Sequence, residues 1–147
     1  MNLLSKENKK IHYRRNARES VLKALFAKNF SDGNPFNLLD KIIETFPVDD
    51  KNKSFIYDLF NQVIENSEWA DGLIKNHLKN WEIHRIAQVD HILLKMGICE
   101  IYHLEEIPAK VSITEMVEIA KIYSTDESAG FINGVLDSIY KNYKQIL

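Results

Sequence analysis

One cysteine, five glycines and three prolines are all that the 147 residues contain of the three residue types that most often staple or punctuate a chain. A lone Cys99 cannot close an internal disulfide, which fits a reducing compartment and excludes a disulfide-held secreted scaffold. The glycines and prolines never cluster, so there is no low-complexity linker and no obvious domain break. No apolar run approaches the length of a membrane span, and the opening MNLLSKENKK is charged from Lys6 on, which leaves no signal-peptide core. These absences predict a soluble cytoplasmic protein. Clean alternation in the manner of a half-buried strand is missing too. So are a phosphate loop, a glycine-rich dinucleotide fingerprint, a nucleophile elbow and a metalloprotease histidine pair. Scattered Ser, His and Asp nominate no triad, and the sequence predicts no enzyme and no cofactor.

What is present is apolar residues, 45% of the chain, recurring at helical spacing almost throughout. The fold class is all-α. A first helix is expected over residues 16–30, with Ala17, Val21, Ala24 and Leu25 on one stripe, broken by Ser31-Asp32-Gly33-Asn34. Asn34 before Pro35 starts a second helix, because the amide oxygen can accept from a free N–H and proline at the first position forfeits only an unpartnered donor. It uses Phe36, Leu39, Ile42, Ile43 and Phe46 and stops at Pro47. A third helix begins near Asp49 or Asp50 and buries Phe55, Ile56, Leu59, Phe60 and Val63. A segment over 67–78 turns Trp69, Leu73 and Ile74 inward, and the spacing leaves open whether it continues the third helix with a bend near Asn66. From Ile86 a strongly apolar helix, with Val89, Ile92, Leu93, Met96, Cys99 and Ile101, forms the centre of the second half. Two capping boxes, Ser112-Ile113-Thr114-Glu115 and Ser124-Thr125-Asp126-Glu127, predict helix starts near Ile113 and Thr125, each cap worth about 1 kcal/mol. The last helix runs on through Phe131, Val135, Leu136, Ile139 and Tyr143.

Charge is the most uneven feature. The first 28 residues carry eight Lys and Arg against two acids, a balance of +6 in a chain whose total is −2, so the remaining 119 sum to −8. A basic arm on an acidic body points to one surface for a polyanion and another for a separate partner. Arg14, Arg15 and Arg18 are expected at the N-terminal end of the first helix, where the macrodipole disfavours cations by about 0.3 to 1 kcal/mol each. An anionic ligand would compensate, since the guanidinium fork matches phosphate and Arg14 and Arg18 share a face. His12 and Tyr13 add groups that can stack or hydrogen-bond, favouring single-stranded RNA over duplex DNA. The bland alternative is that the arginines pair with acids of the same chain or are simply solvated.

Other constellations carry less. Cys99 and His103 are one turn apart, but structural zinc takes four ligands and no second such pair exists, so Cys99 is expected in the core and no metal is expected. His77, His84 and His91 are expected at the surface or an interface. Gly130-Phe131-Ile132-Asn133-Gly134 has the small-xxx-small form, read here as close helix packing. Phe131 is either core or a stacking platform for a base.

The stretch RNARESVLKALF from Arg15, together with IAQVDHILLKMGICEIYHLEEIPAKVSITEMVEIAKIYSTDESAGFINGVLDSIY from Ile86, resembles the NusB family of bacterial antitermination factors along nearly the full chain. The resemblance rests on an ordered set. A helix ending in Glu and a hydrophobic residue is followed by a proline turn, a capped helix ending in Ala-Lys, and a last helix opening Phe-x-Asn-Gly-Val-Leu.

That resemblance implies two small helical bundles, over 1–80 with the basic arm and over 81–147, about seven helices in all. It implies binding to the boxA element of ribosomal RNA leaders, pairing with ribosomal protein S10 (NusE), and an antitermination complex on RNA polymerase, without catalysis or membrane association. The RNA contacts carried over are Lys9, Lys10, Arg14, Arg15, Arg18, His77 and Phe131. The partner contacts are Asp90, Lys95 and Glu127. Some relatives dimerise, so a homodimer is compatible with the resemblance. Departures from the family pattern are Asn16 within the arginine run, Thr114, Lys95 in place of the usual Arg, and Cys99. Lys95 keeps the charge but not the bidentate fork. Two alternatives stand beside this expectation: a helical protein-interaction module without RNA binding, and a module related to the N-terminal domain of ribosomal RNA cytosine methyltransferases. The lack of a glycine-rich cofactor loop counts against the second.

Overall fold

The computed structural model describes residues 3–78 and 83–146, with side chains from Arg14 on except those of His84 and 144–146. Seven α-helices and one short 3-10 turn follow in order: α1 (Leu3–Lys28), α2 (Pro35–Thr45), α3 (Asp50–Glu65), α4 (Ser67–Leu78), the turn Ile83–Arg85, α5 (Gln88–His103), α6 (Ala109–Tyr123) and α7 (Asp126–Ile146). Among the described residues there is no strand, and no helix is long and apolar enough to cross a membrane.

The first correction concerns α1, which begins at Leu3 and not near Asn16. Apolar periodicity is silent there because the segment is mostly Lys, Arg, Asn and Glu, yet most of these are good helix formers and neither Gly nor Pro interrupts them. Arg14, Arg15 and Arg18 therefore sit mid-helix. The dipole field acts within the first turn, so the helix-end explanation for these arginines does not hold. Lys9, Lys10, His12 and Tyr13 have their side chains outside the described residues.

Of the expected caps two form as read, one is displaced by a residue and one does not form. Asn34 Oδ1 accepts from Phe36 N at 2.9 Å with Pro35 in the first position. Asp49 Oδ1 accepts from Asn52 N at 2.8 Å, opening α3. Thr125, one residue beyond the box's Ser124, accepts from Ser128 N at 2.9 Å at the start of α7. Ser112, by contrast, is no cap: α6 starts at Ala109 behind Pro108, and Ser112 is fully buried in its second turn, donating to Glu100 Oε1 on α5 at 2.9 Å. Burial redirects a hydroxyl from a helix end to a facing carboxylate, because a buried polar group needs a partner. At Asn66 the chain leaves α3 and re-enters helix one residue later, with Asn66 Nδ2 donating to the Gln62 carbonyl at 2.8 Å. Trp69, expected inward, remains 39% exposed, set edge-on to Tyr102 at 4.9 Å between ring centroids.

Contacts divide the chain into two compact units, one up to Phe60 and one from Asn61, a division that falls inside α3, whereas the sequence expectation puts it after residue 80. Unit 1 buries Ala17, Val21, Leu22, Ala24 and Leu25 of α1 against Leu39, Ile43, Phe55, Ile56, Leu59 and Phe60. In unit 2, α5 is buried over most of its circumference, from Ile92 to Ile101, and α4, α6 and α7 pack on it. Cys99 belongs to this core, where burial pushes its thiol up to about 12.

Gly97 lets Leu136 of α7 pack directly on α5, since a Cβ there would lie 2.7 Å and 2.9 Å from the terminal carbons of that buried side chain. Gly134, on α7, faces open space. Gly97→Ala is expected to lower stability by about 1 kcal/mol, overpacking outweighing the helix-propensity gain. Gly134→Ala should raise it by up to about 1 kcal/mol. Urea unfolding of the two variants checks both signs.

Candidate nucleic-acid and partner interfaces

In unit 1 the arginines of α1 divide by environment. Arg14 and Arg18, one turn apart, both lie over the buried Phe55 ring of α3, with guanidinium carbons 4.3 Å and 5.1 Å from its centroid. Arg18 is only 2% exposed and is among the largest fully buried side chains. Arg14 and Arg15 are half-buried and retain access to solvent. A guanidinium buried on an aromatic face gains about 2 kcal/mol from the ring quadrupole. Arg18 thus packs α1 against α3, while Arg14 and Arg15 stay partly accessible.

One turn after Arg15, Glu19 faces opposing influences. Burial pushes its carboxyl up, and the neighbouring Lys23 and Arg15 pull it back less strongly. Lys23 places its ammonium 4.0 Å above the Phe46 ring.

In unit 2, Asp90, Glu127 and Phe131, nominated separately in sequence, line one cleft of about 360 Å³ together with Arg85, Thr125 and Ser128. Asp90 stands in the first turn of α5, where helix N–H groups favour a carboxylate. It is 5% exposed, and its Oδ1 has no hydrogen-bond partner among the described residues. Phe131 keeps 38% of its surface at the same cleft. Arg85 was not singled out in sequence. Its adjacency to the acids arises only because the turn after α4 meets the N-termini of α5 and α7.

Two nominated residues lie elsewhere. Lys95 donates to Ser67 Oγ at 2.8 Å and lies 3.6 Å from Asp71 Oδ1, which His91 Nε2 also meets at 2.7 Å, so it joins α5 to α4. His77 bridges α4 and α7. Asn142 Nδ2 donates to its Nε2 at 2.7 Å, which leaves the proton on Nδ1 to donate to the Leu73 carbonyl at 2.9 Å.

Glu19 yields a pH prediction. A carboxyl with its folded pKa above the unfolded value binds protons more tightly when folded, so its stabilising contribution is complete below the unfolded pKa and is lost as pH rises through the folded one. Glu19→Gln, which cannot ionise, should therefore be more stable than the parent at neutral pH. The difference should shrink as pH falls through the raised folded pKa and be gone below the ordinary value of 4.5. Urea titrations across that range check it.

A family model described as NusB family matches residues 15–141. The transcription antitermination protein NusB of Salinibacter ruber is 44% identical over 128 residues, covering 86% of this chain and 79% of that one. Its counterpart in Bacillus licheniformis is 38% identical over 126 residues, covering 86% and 95%. Among solved structures, T. maritima NusB matches with a TM-score of 0.80 at 37% identity, over 87% of this chain and 90% of that one. A chain of the crystal structure of antitermination factors NusB and NusE in complex with dsRNA matches with a TM-score of 0.82 at 26% identity, over 90% and 98%.

Proposed function

The chain belongs to the NusB family, and on that premise we propose that it is an RNA-binding transcription antitermination factor, which holds boxA-like single-stranded RNA of ribosomal RNA leaders and pairs with ribosomal protein S10 (NusE) on RNA polymerase in the cytoplasm. The observation that carries this is the family match across residues 15–141, with curated antitermination proteins as relatives. The NusB, NusE and dsRNA complex among its structural neighbours supports the same partners. It works by binding, without chemistry of its own.

Within that function the residues take different parts. Arg14 and Arg15, with Lys9 and Lys10 earlier on the same helix, neutralise backbone phosphates, for which the guanidinium fork is suited. Arg18 supports them from below. Asp90 and Glu127 offer carboxylates to a basic partner at the unit 2 cleft, and Phe131 adds an exposed ring beside them. His77 and Lys95, held by intramolecular hydrogen bonds, act by fixing α4 to its neighbours.

Counterion release sets the test. Neutralising three to five phosphates of a single strand gives a slope of log affinity against log salt of roughly −2 to −3.5. The double variant Arg14→Glu, Arg15→Glu should abolish binding to a boxA oligonucleotide with helicity unchanged by circular dichroism. Fluorescence anisotropy, with and without NusE and with a duplex of the same sequence, measures both. Unchanged affinity in the double variant would remove α1 from the RNA site.

A further inference from the structure

Unit 2 carries a surface that neither proposed interface uses. Trp69 of α4, Tyr102 and His103 in the last turn of α5, and Tyr143 near the end of α7 gather their rings into one cluster. Trp69 lies edge-on to Tyr102 at 4.9 Å and 5.2 Å from His103, and Tyr102 lies 4.3 Å from Tyr143, all between ring centroids. The cluster is remote from the cleft. Asp90 and Tyr102 are twelve residues apart on one helix, which at about 1.5 Å per residue separates the two surfaces by roughly 18 Å.

The rings are open to a partner. Trp69 keeps 39% of its surface, His103 is exposed, and Tyr102 and Tyr143 are half-buried. Gly72, one turn further along α4, has no side chain to crowd the indole, and even a Cβ there would meet nothing within 4 Å. Tryptophan and tyrosine with access to solvent are the side chains that most often dominate the energy of a protein interface.

Charge decides what such rings receive. The end of α5 is the negative end of its dipole, and an indole face attracts cations more strongly than any other ring. Glu68, next to Trp69, and Glu105 and Glu106, just past α5, are all exposed. Lys141, two residues before Tyr143, is already held by Asp137 at 2.9 Å. Stacking rings alone would suit a nucleobase, but acids on two sides repel the phosphates that come with it. A guanidinium meets both demands, since it is planar, stacks on aromatic faces and pairs with carboxylates. Burial and the nearby Tyr143 push the Tyr102 phenol up, so it keeps its proton and can donate to a peptide carbonyl.

We propose that this cluster docks an arginine-bearing segment of a basic protein, with a guanidinium over the Trp69 ring and the surrounding glutamates as its counter-charge. Unit 2 then takes a protein there in addition to the partner proposed for its cleft.

The test is an NMR titration of the full chain at about pH 8, where histidine is mostly uncharged. The probes are the end-blocked peptide Gly-Arg-Gly-Arg-Gly and its citrulline twin, which keeps the shape of arginine and loses the charge. The arginine peptide should shift the Trp69 indole N–H and the backbone amides of Gly72, His103 and Glu105, and bind about threefold or more tightly than the twin, the worth of one accessible cation–π contact. Trp69→Leu, which keeps apolar bulk and removes the aromatic face, should bring the two peptides to within about twofold of each other. Equal affinity for the two peptides, shifts confined to Asp90, Glu127 and Phe131, or an undiminished preference in a folded Trp69→Leu variant would overturn the proposal. So would a uridine oligonucleotide that moves the same amides more than the arginine peptide does, because the cluster would then be a base platform. The comparison of the twin peptides needs no variant and holds whether or not Trp69→Leu folds.

Discussion

A buried guanidinium governs unit 1. Arg18 stacks over Phe55 with almost no exposure, where a charged side chain is tolerated only if its surroundings compensate the lost water. That contact ties α1 to α3, beside the packing of α1 on α2. Arg14 shares the Phe55 ring, Arg15 is half-buried beside it, and Glu19 and Lys23 follow on the next two turns of α1. A basic helix whose pitch is held by one buried member presents the remaining cations at fixed spacing. In the proposed RNA site, phosphate binding would then cost less ordering of long side chains.

Unit 2 uses the opposite charge in a comparable way. Asp90 is held by burial in the first turn of α5, and the capped start of α7 brings Glu127 and Phe131 to the same cleft. Around it, polar side chains are spent on tying helices together. Ser112 reaches Glu100, Lys95 reaches Ser67, and His77 joins Leu73 to Asn142. Asp90 and Glu127 differ from the fully buried Glu100 by lining an open cleft.

Much of this was legible in the residues, and the failures have physical causes. Apolar spacing located the helices wherever one face is buried, and Asn34-Pro35 and Asp49 located starts where side-chain caps form. It missed the first part of α1, because a helix of charged residues has no apolar stripe to detect. Ser112 imitated a cap since the motif is local, whereas its hydroxyl answers to a carboxylate twelve residues away on another helix. The candidate site divided along the same line. Charge counting identified the arginine cluster but could not separate a buried Arg18 from a half-buried Arg15. The place of Arg85 beside Asp90 and Glu127 depends on three elements meeting, which no spacing in the chain encodes.

The division of labour among the arginines is tested most directly by the salt dependence of RNA affinity in single variants that keep side-chain length but remove charge. Arg15→Met should flatten the log–log slope by about 0.7, one phosphate on a single strand. Arg18→Met, wherever it remains folded, should leave the slope unchanged while altering the urea midpoint. A folded Arg18→Met protein that loses a full phosphate from its slope, with Arg15→Met losing none, would contradict the account.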